Sequence, residues 1–240
     1  GLSELDVASV ELLPGASSAL YGANAFNGIL FMTSKSPFTH QGLSTYIKRG
    51  ITSQDVAGDN QFTDLGVRAA HAFTKHFAAK ANFNYMTGTE WIADDRTSMT
   101  GGFNGREGNQ NYDGLNLYGD EVTNFIPNVG QVSRTGYAEK DLSDNKVKSV
   151  KADFSLHFKP FDNDYEIIAQ HKLGFENTVY QGANRYYLKD FYMDQTKLEI
   201  KGKNFFVRGY LSSEDAGDSY DMRFAGWNVN RAAKGDVAWF

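Results

Sequence analysis

Residues 5–35 read LDVASVELLPGASSALYGANAFNGILFMTSK. Val7–Leu13 (VASVELL) reads as a short strand, and Pro14-Gly15 is a turn signal. Ser17–Tyr21 suits one helical turn, ended by Gly22, and Ile29–Thr33 (ILFMT) reads as a second short apolar strand. Gly15, Gly22 and Gly28 have no Cβ, so the backbone can turn tightly and pack closely at these points. The segment is too small to enclose a core of its own. It carries no chemistry; its residues are structural.

Downstream the pattern changes. From residue 43 apolar residues recur with period two. Phe77, Ala79, Ala81, Phe83 and Tyr85 alternate with Ala78, Lys80, Asn82 and Asn84. Val150, Ala152, Phe154, Leu156 and Phe158 alternate with Lys151, Asp153, Ser155 and His157. Each such strand has one apolar face and one polar, often charged face. The pattern predicts seven strands, near 43–51, 62–73, 77–87, 147–158, 165–175, 192–202 and 204–212. Short connections fall at 74–76, 159–164 and 202–204, and long ones at 52–61, 88–146 and 176–191. Short turns at one end and long loops at the other is the layout of an outer-membrane barrel. A soluble antiparallel sheet explains the alternation equally well but not the ordered loop lengths. An odd strand count leaves an edge open, so the expectation is that the sequence stops before a barrel closes.

Composition fits short twisted strands better than helices. Of 240 residues, 18 are Phe, 13 Tyr and 24 Gly, against 4 Pro. Net charge is -5 with both signs dispersed, which argues against nucleic acid as a partner. No cysteine is present, which excludes disulfides and thiolate metal sites. No run approaches the roughly 20 apolar residues of a membrane-spanning helix, although barrel strands give a much weaker signal. Residues 1–20 show no signal peptide, and the expectation is that the start of the gene product lies upstream.

Residues 5–35 strongly resemble the C-terminal end of the plug domain of TonB-dependent outer-membrane receptors. The matching elements are Val10-Glu11, Pro14-Gly15, Ser18-Ala19-Leu20-Tyr21-Gly22, Ala25-Phe26-Asn27-Gly28 and the apolar strand from Ile29 to Lys35. Within them Glu11, Gly15, Leu20, Tyr21, Gly22, Asn27 and Gly28 form the structural motif. The wording LPGASSALYGANAFNG looks most like the receptors of Bacteroidota, as does Glu214–Tyr220 (EDAGDSY). The resemblance implies an all-β fold. Residues 1–38 would be the end of the plug, and 39–240 the first part of a transmembrane antiparallel β-barrel of about 22 strands. It implies a protein of the Gram-negative outer membrane that actively takes up a nutrient: a siderophore, cobalamin, a glycan or a peptide. Its implied partners are the TonB–ExbB–ExbD complex, outer-membrane lipid, a small nutrient ligand and, in this subgroup, a surface lipoprotein. No reaction, cofactor or metal is implied. A passive porin or an adhesin-like barrel shares the strand pattern but lacks the motif.

Outside the motif, His40, His71, His76, His157 and His171 stand at no metal-ligand spacing. No nucleophile elbow or phosphate loop occurs. The acidic groups Asp55 with Asp59, Asp94-Asp95, Asp113 with Asp120-Glu121, and Asp215, Asp218 and Asp221 read as solvated loop charges, because none has a full calcium-ligand spacing. The connection 88–146 is far longer than a turn requires and carries Trp91, Phe103, Tyr112, Tyr118 and Phe125. Aromatic rings among amides suit ligand contact, or equally a lid packed on its neighbours. Phe73, Phe77, Tyr85, Phe158 and Tyr165 fall near strand ends, where an aromatic girdle or ordinary core rings are expected.

Overall fold

The computed structural model describes residues 3–15, 28–162 and 164–240. Leu20, Tyr21, Gly22 and Asn27, with the expected helical turn at 17–21, lie outside the described residues. A 3-10 turn (Glu4–Asp6) leads into β1 (Val7–Pro14), which pairs antiparallel with β2 (Gly28–Ser34). Glu11 is exposed on β1, opposite Phe31. Gly15 has φ 92° and Gly28 φ 148°, conformations that L side chains rarely adopt.

The rest of the chain is built on seven long strands. These are β3 (Gly42–Gln54), β4 (Gly58–Ala72) and β5 (Phe77–Thr89), followed after a long insertion by four more. The insertion folds as β6 (Leu117–Tyr118), β7 (Thr123–Ile126), β8 (Gly130–Ser133), β9 (Tyr137–Ala138) and α1 (Glu139–Leu142). The remaining long strands are β10 (Lys146–Phe158), β11 (Glu166–Gln181), β12 (Arg185–Lys201) and β13 (Phe206–Asp215). The chain ends with β14 (Tyr220–Asp221), α2 (Met222–Ala233) and α3 (Asp236–Trp239). The long strands pair antiparallel in the order β13-β12-β11-β10-β5-β4-β3, with β14 added beside β12. The sheet is open, and β3 and β13 are its edges.

The two faces of this sheet are inverted relative to a soluble domain. On the inner face Arg68 and Lys80 are each 2% exposed, Ser155 1% and His157 5%. Asn82, Asp153, Glu166, Gln170 and Glu199 are buried beside them. On the outer face Phe154 is 49% exposed, Leu198 55% and Ile47 71%. Alternation links the two faces: once Lys80, Asp153 and His157 point inward, Ala81, Phe154 and Leu156 must point outward.

Cross-strand register sorts the outer face into rows. Ile47, Leu65, Tyr85, Val150, Phe175 and Tyr192 are successive partners across six strands. Eight residues along the same strands, Phe77, Phe158, Ile167, Ile200 and Val207 form a second row. Phe73 stacks on Phe77 at 5.5 Å between ring centroids and extends that row. Eight residues span about 27 Å along a strand. Between the rows lie Ala79, Leu156, Ala169 and Leu198, then Ala81, Phe154, His171 and Thr196, then Phe83, Ala152, Leu173 and Asp194. The face is apolar over β4, β5 and β10 and gains polar members toward β12.

Two of the three expected long connections are tight turns. β3 and β4 are joined through Asp55–Ala57, with Gly58 at φ 68°, and β11 and β12 through residues 182–184. The strand segments 52–54, 58–61, 176–181 and 185–191 continue the ladder past the outer row instead. The long connection 88–146 is folded rather than structureless, and helix α2 is an element the strand pattern does not indicate.

Gly66 on the inner face has no room for a side chain. A Cβ there would stand 2.3 Å from Tyr46 Cε1 and 2.8 Å from Asn84 Nδ2. The Tyr46 ring cannot swing away freely, because its hydroxyl donates to Asp64 at 2.9 Å and accepts from Asn84 at 3.0 Å. Gly66→Ala is therefore expected to destabilise the sheet by about 1–3 kcal/mol through overpacking. Denaturant unfolding checks this; a change within 0.5 kcal/mol would mean the ring moves without cost.

Candidate functional site

Two regions bring functional side chains together: the inner face of the sheet and the folded insertion at its outer end. On the inner face Asp6 is the centre. The 3-10 turn presents its carboxylate, 0% exposed, to Arg68 on β4 and Lys80 on β5. Arg68 Nε donates to Asp6 Oδ1 at 2.8 Å, and Lys80 Nζ to Oδ2 at 2.6 Å. Arg68 Nη1 also donates to the His40 carbonyl at 2.9 Å, and Lys80 Nζ to the Lys35 carbonyl at 2.8 Å. Lys35 Nζ returns to the Leu5 carbonyl at 2.8 Å. The same two cations of the sheet thus hold both ends of the segment that enters and leaves the β1–β2 pair. Pro37 is buried beside them, and Phe38 meets His157 edge-on.

Above this clasp the inner face lines a concavity of about 680 Å³. Glu4, Tyr46, Asp64, Asn84, Lys151 and Glu176 are among its walls. Glu4 pairs with Lys48 at 2.7 Å, and Lys151 with Glu176 at 2.6 Å. Its lining carries charges of both signs, so it selects no single ligand charge.

Ser155 Oγ lies 3.0 Å from His157 Nε2, and His157 Nδ1 lies 2.7 Å from Glu166 Oε1. The order is that of a nucleophile, a base and an orienting carboxylate. Ser155 is almost wholly buried and does not line the concavity, and Glu166 is also held by Lys201 at 2.9 Å. With no space for a substrate, this is a buried polar network.

At the outer end, the insertion is organised by buried charge. Glu139 accepts from Arg185 Nε at 2.8 Å, Asn145 Nδ2 at 2.5 Å and the Tyr118 hydroxyl at 3.3 Å. Arg134 is buried against α2 and α3, donating to the carbonyls of Asn230 at 3.0 Å and Lys234 at 2.8 Å and pairing with Asp236. Glu121 accepts from Arg223 Nε and Trp227 Nε1, both at 2.9 Å.

Of the five aromatic residues that the connection 88–146 offers for ligand contact, Phe125 is exposed, and Tyr112 and Tyr118 belong to the interior of this assembly. Tyr118 packs with Val179, Tyr187 and Met222, and the Tyr112 hydroxyl donates to the Arg96 carbonyl at 2.7 Å. Trp91 and Phe103 remain exposed, the Trp91 carbonyl being held by Arg185 at 3.0 Å.

Asp120 corrects the expectation of a solvated acidic loop. It is 0% exposed and accepts from the Gly114 N–H at 3.0 Å through Oδ2, while Oδ1 has no protein partner. Burial pushes its carboxyl up to about 6, with Asp113 and Glu121 adding to the rise and the Gly114 N–H opposing it. Asp221 is likewise structural: it caps α2, accepting from the backbone N–H groups of Arg223 and Phe224.

The chain matches no protein-family model, no curated protein and no solved structure.

Two outcomes follow from these charges. Asp6→Asn leaves Arg68 and Lys80 buried without a counter-charge. It should cost about 3–5 kcal/mol and expose the Lys35 N–H, now bonded to the Asp6 carbonyl at 2.7 Å, to hydrogen exchange. Unchanged protection at Lys35 would show that the clasp does not seat this segment. The raised Asp120 value means that the folded state binds the proton more tightly than the unfolded chain. Its contribution is complete below about pH 4 and is lost as pH rises through about 6. Protection of the Gly114 amide relative to its intrinsic, base-catalysed exchange should therefore fall across that window, by an amount on the order of 2–3 kcal/mol. Asp120→Asn should abolish the slope; a slope that survives the substitution would assign it to another group.

Proposed function

We propose that this chain is the end of the plug and the first barrel strands of a TonB-dependent transporter of the Gram-negative outer membrane. It takes part in active uptake of a nutrient such as a siderophore, cobalamin, a glycan or a peptide. One observation carries the reading: the segment resembling a plug end is seated by Asp6 on the enclosed, charged face of a sheet whose opposite face is apolar and exposed. A soluble sheet has no reason to bury Arg68, Lys80 and His157 while presenting Phe83, Phe154 and Leu156 to water. Lipid around the outer face and a polar lumen account for both. The two rows ending in aromatic rings suit the two interfaces of an apolar band, which in such barrels is about 25 Å tall.

Within this reading, force from the TonB–ExbB–ExbD complex would act on the plug, and the Asp6 clasp would set where the movable part ends. Residues 3–6 and 35–40 would stay with the wall, and the β1–β2 pair would lie on the movable side. Trp91, Phe103 and Phe125 are exposed rings of the insertion that would meet a ligand or a surface lipoprotein. A passive porin or an adhesin-like barrel would need no segment clasped to its inner wall.

The test is a charge at mid-height of the outer face. Phe154→Arg should cost about 2–4 kcal/mol in a folded, detergent- or lipid-embedded protein, and the intact wild-type protein should fractionate with the outer membrane. If the intact protein is recovered soluble without detergent, and Phe154→Arg shifts stability by less than about 0.5 kcal/mol, the reading fails.

A further inference from the structure

The outer face continues past the row of Tyr85, Phe175 and Tyr192. Two residues further toward the folded insertion, the ladder aligns Arg49, Thr63, Thr87, Lys148 and Asn177 as successive partners on five strands. Alternation sends these side chains to the same side as the apolar rows. Arg49 and Lys148 are exposed, and neither has a carboxylate partner among the described residues. Lys148 Nζ stands 5.7 Å from the centroid of the Phe175 ring, so the cation sits directly on the edge of the apolar band. The two cations are three strand spacings apart, about 14 Å, with two threonine hydroxyls between them.

The other end of the sheet treats its cations differently. There Lys75 is paired with Asp162 at 2.8 Å, and Lys159 lies over the Phe38 ring at 4.4 Å. Lys146, beyond Lys148, has Asp144 at 3.9 Å. Lys203 at that other end is exposed in the β12–β13 turn with no carboxylate partner among the described residues, but it stands alone; Arg49 and Lys148 share one ladder row directly above an apolar face of acyl-chain height.

We propose that this row is a docking surface for lipids whose headgroups carry phosphate and net negative charge. The acyl chains lie on the outer face between the two rows. The phosphates sit at Arg49 and Lys148, and Thr63 and Thr87 donate hydrogen bonds between them. Arginine offers a planar fork to two phosphate oxygens, and lysine a point charge. The proposal rests on the membrane reading above and adds a preferred lipid class at one rim.

The experiment uses the intact protein and two vesicle compositions, phosphatidylcholine alone and phosphatidylcholine with a minor share of phosphatidylglycerol. Flotation with the vesicles tests the membrane reading by itself; no flotation with either composition overturns that reading and this proposal together. Lipid retained on the detergent-extracted protein then tests the row. Wild type should retain phosphatidylglycerol several-fold over its share in the vesicle. Arg49→Gln with Lys148→Gln should lower that enrichment about tenfold or more, while Lys75→Gln leaves it unchanged. Equal enrichment in wild type and the double variant overturns the proposal although the protein floats. So does displacement of the lipid by millimolar inorganic phosphate alone, which would make the row a site for a soluble anion.

Discussion

The carboxylate of Asp6, fully buried between Arg68 and Lys80, is the interaction on which the inner face depends. Burying a single charge in such a place is costly, and a pair is tolerated only when both partners are satisfied. Asp6 is held through both its oxygens, Arg68 keeps one buried nitrogen, Nη2, without a partner, and the pairing continues outward. Asn82 donates to Asp153 at 3.1 Å, His157 meets Glu166, and Glu199 accepts from both Lys197 and Arg208. With these alternate positions committed to the network, the intervening residues have one direction left. The exposed apolar face is therefore a geometric consequence of the buried polar one. A single-residue slip of any strand would carry Lys80 or Asp153 out and Phe83 or Phe154 in, breaking the pairs and filling the concavity with rings. Register and the clasp hold each other in place.

The insertion between β5 and β10 follows the same logic at the outer end. It has no large apolar core; its small cluster of Tyr118, Val179, Tyr187 and Met222 is supplemented by Glu139, Arg134 and Asp120. These buried charges tie the insertion to β12 through Arg185 and to the C-terminal helices through Arg134. Helix α2 approaches so closely that a Cβ on Gly226 would stand 2.2 Å from the Tyr118 carbonyl oxygen. The backbone beneath the exposed Trp91 ring is held by Arg185, which donates to the Trp91 carbonyl at 3.0 Å. A ring on a fixed backbone loses less conformational freedom on meeting a partner than one on a mobile tip.

The period-two pattern made the long strands readable, because most of them alternate polar or charged residues with apolar ones. Their outer continuations were not readable. Residues 176–191 hold Asn177 at a ladder irregularity, where alternation breaks, and the turn at 182–184 lacks an Asn-Gly signal. Helix α2 escaped for a different reason. Its buried positions are Met222, Gly226 and Asn230, so no apolar stripe marks it, and only its cap, Asp221, is a typical start signal. Tyr112 and Tyr118 resemble Trp91 and Phe103 in sequence, and only tertiary packing separates buried from exposed. The clasp was beyond sequence reading altogether, since Asp6 meets partners 62 and 74 positions away.

The open edges give the proposed reading its strictest condition. β3 and β13 each present an unpaired ladder, and β13 is exposed along its whole length. In lipid, each unmet backbone N–H or C=O costs several kcal/mol, so a sheet with these edges bare is not a form that a bilayer tolerates. Both edges need further strands beside them for the outer face to lie in lipid. The outer face is already unlike a lipid-facing one near β13, where Asp194 and Thr196 stand opposite Ser213 and Leu211. Those polar side chains sit where the sheet has the least support, beside its bare edge. A neighbouring strand there would have to supply hydrogen-bond partners for Asp194 and Ser213 as well as for the backbone. The more polar end of the outer face is thus the end that most needs a covering strand, whereas the β4–β5–β10 stretch, apolar from row to row, needs only lipid.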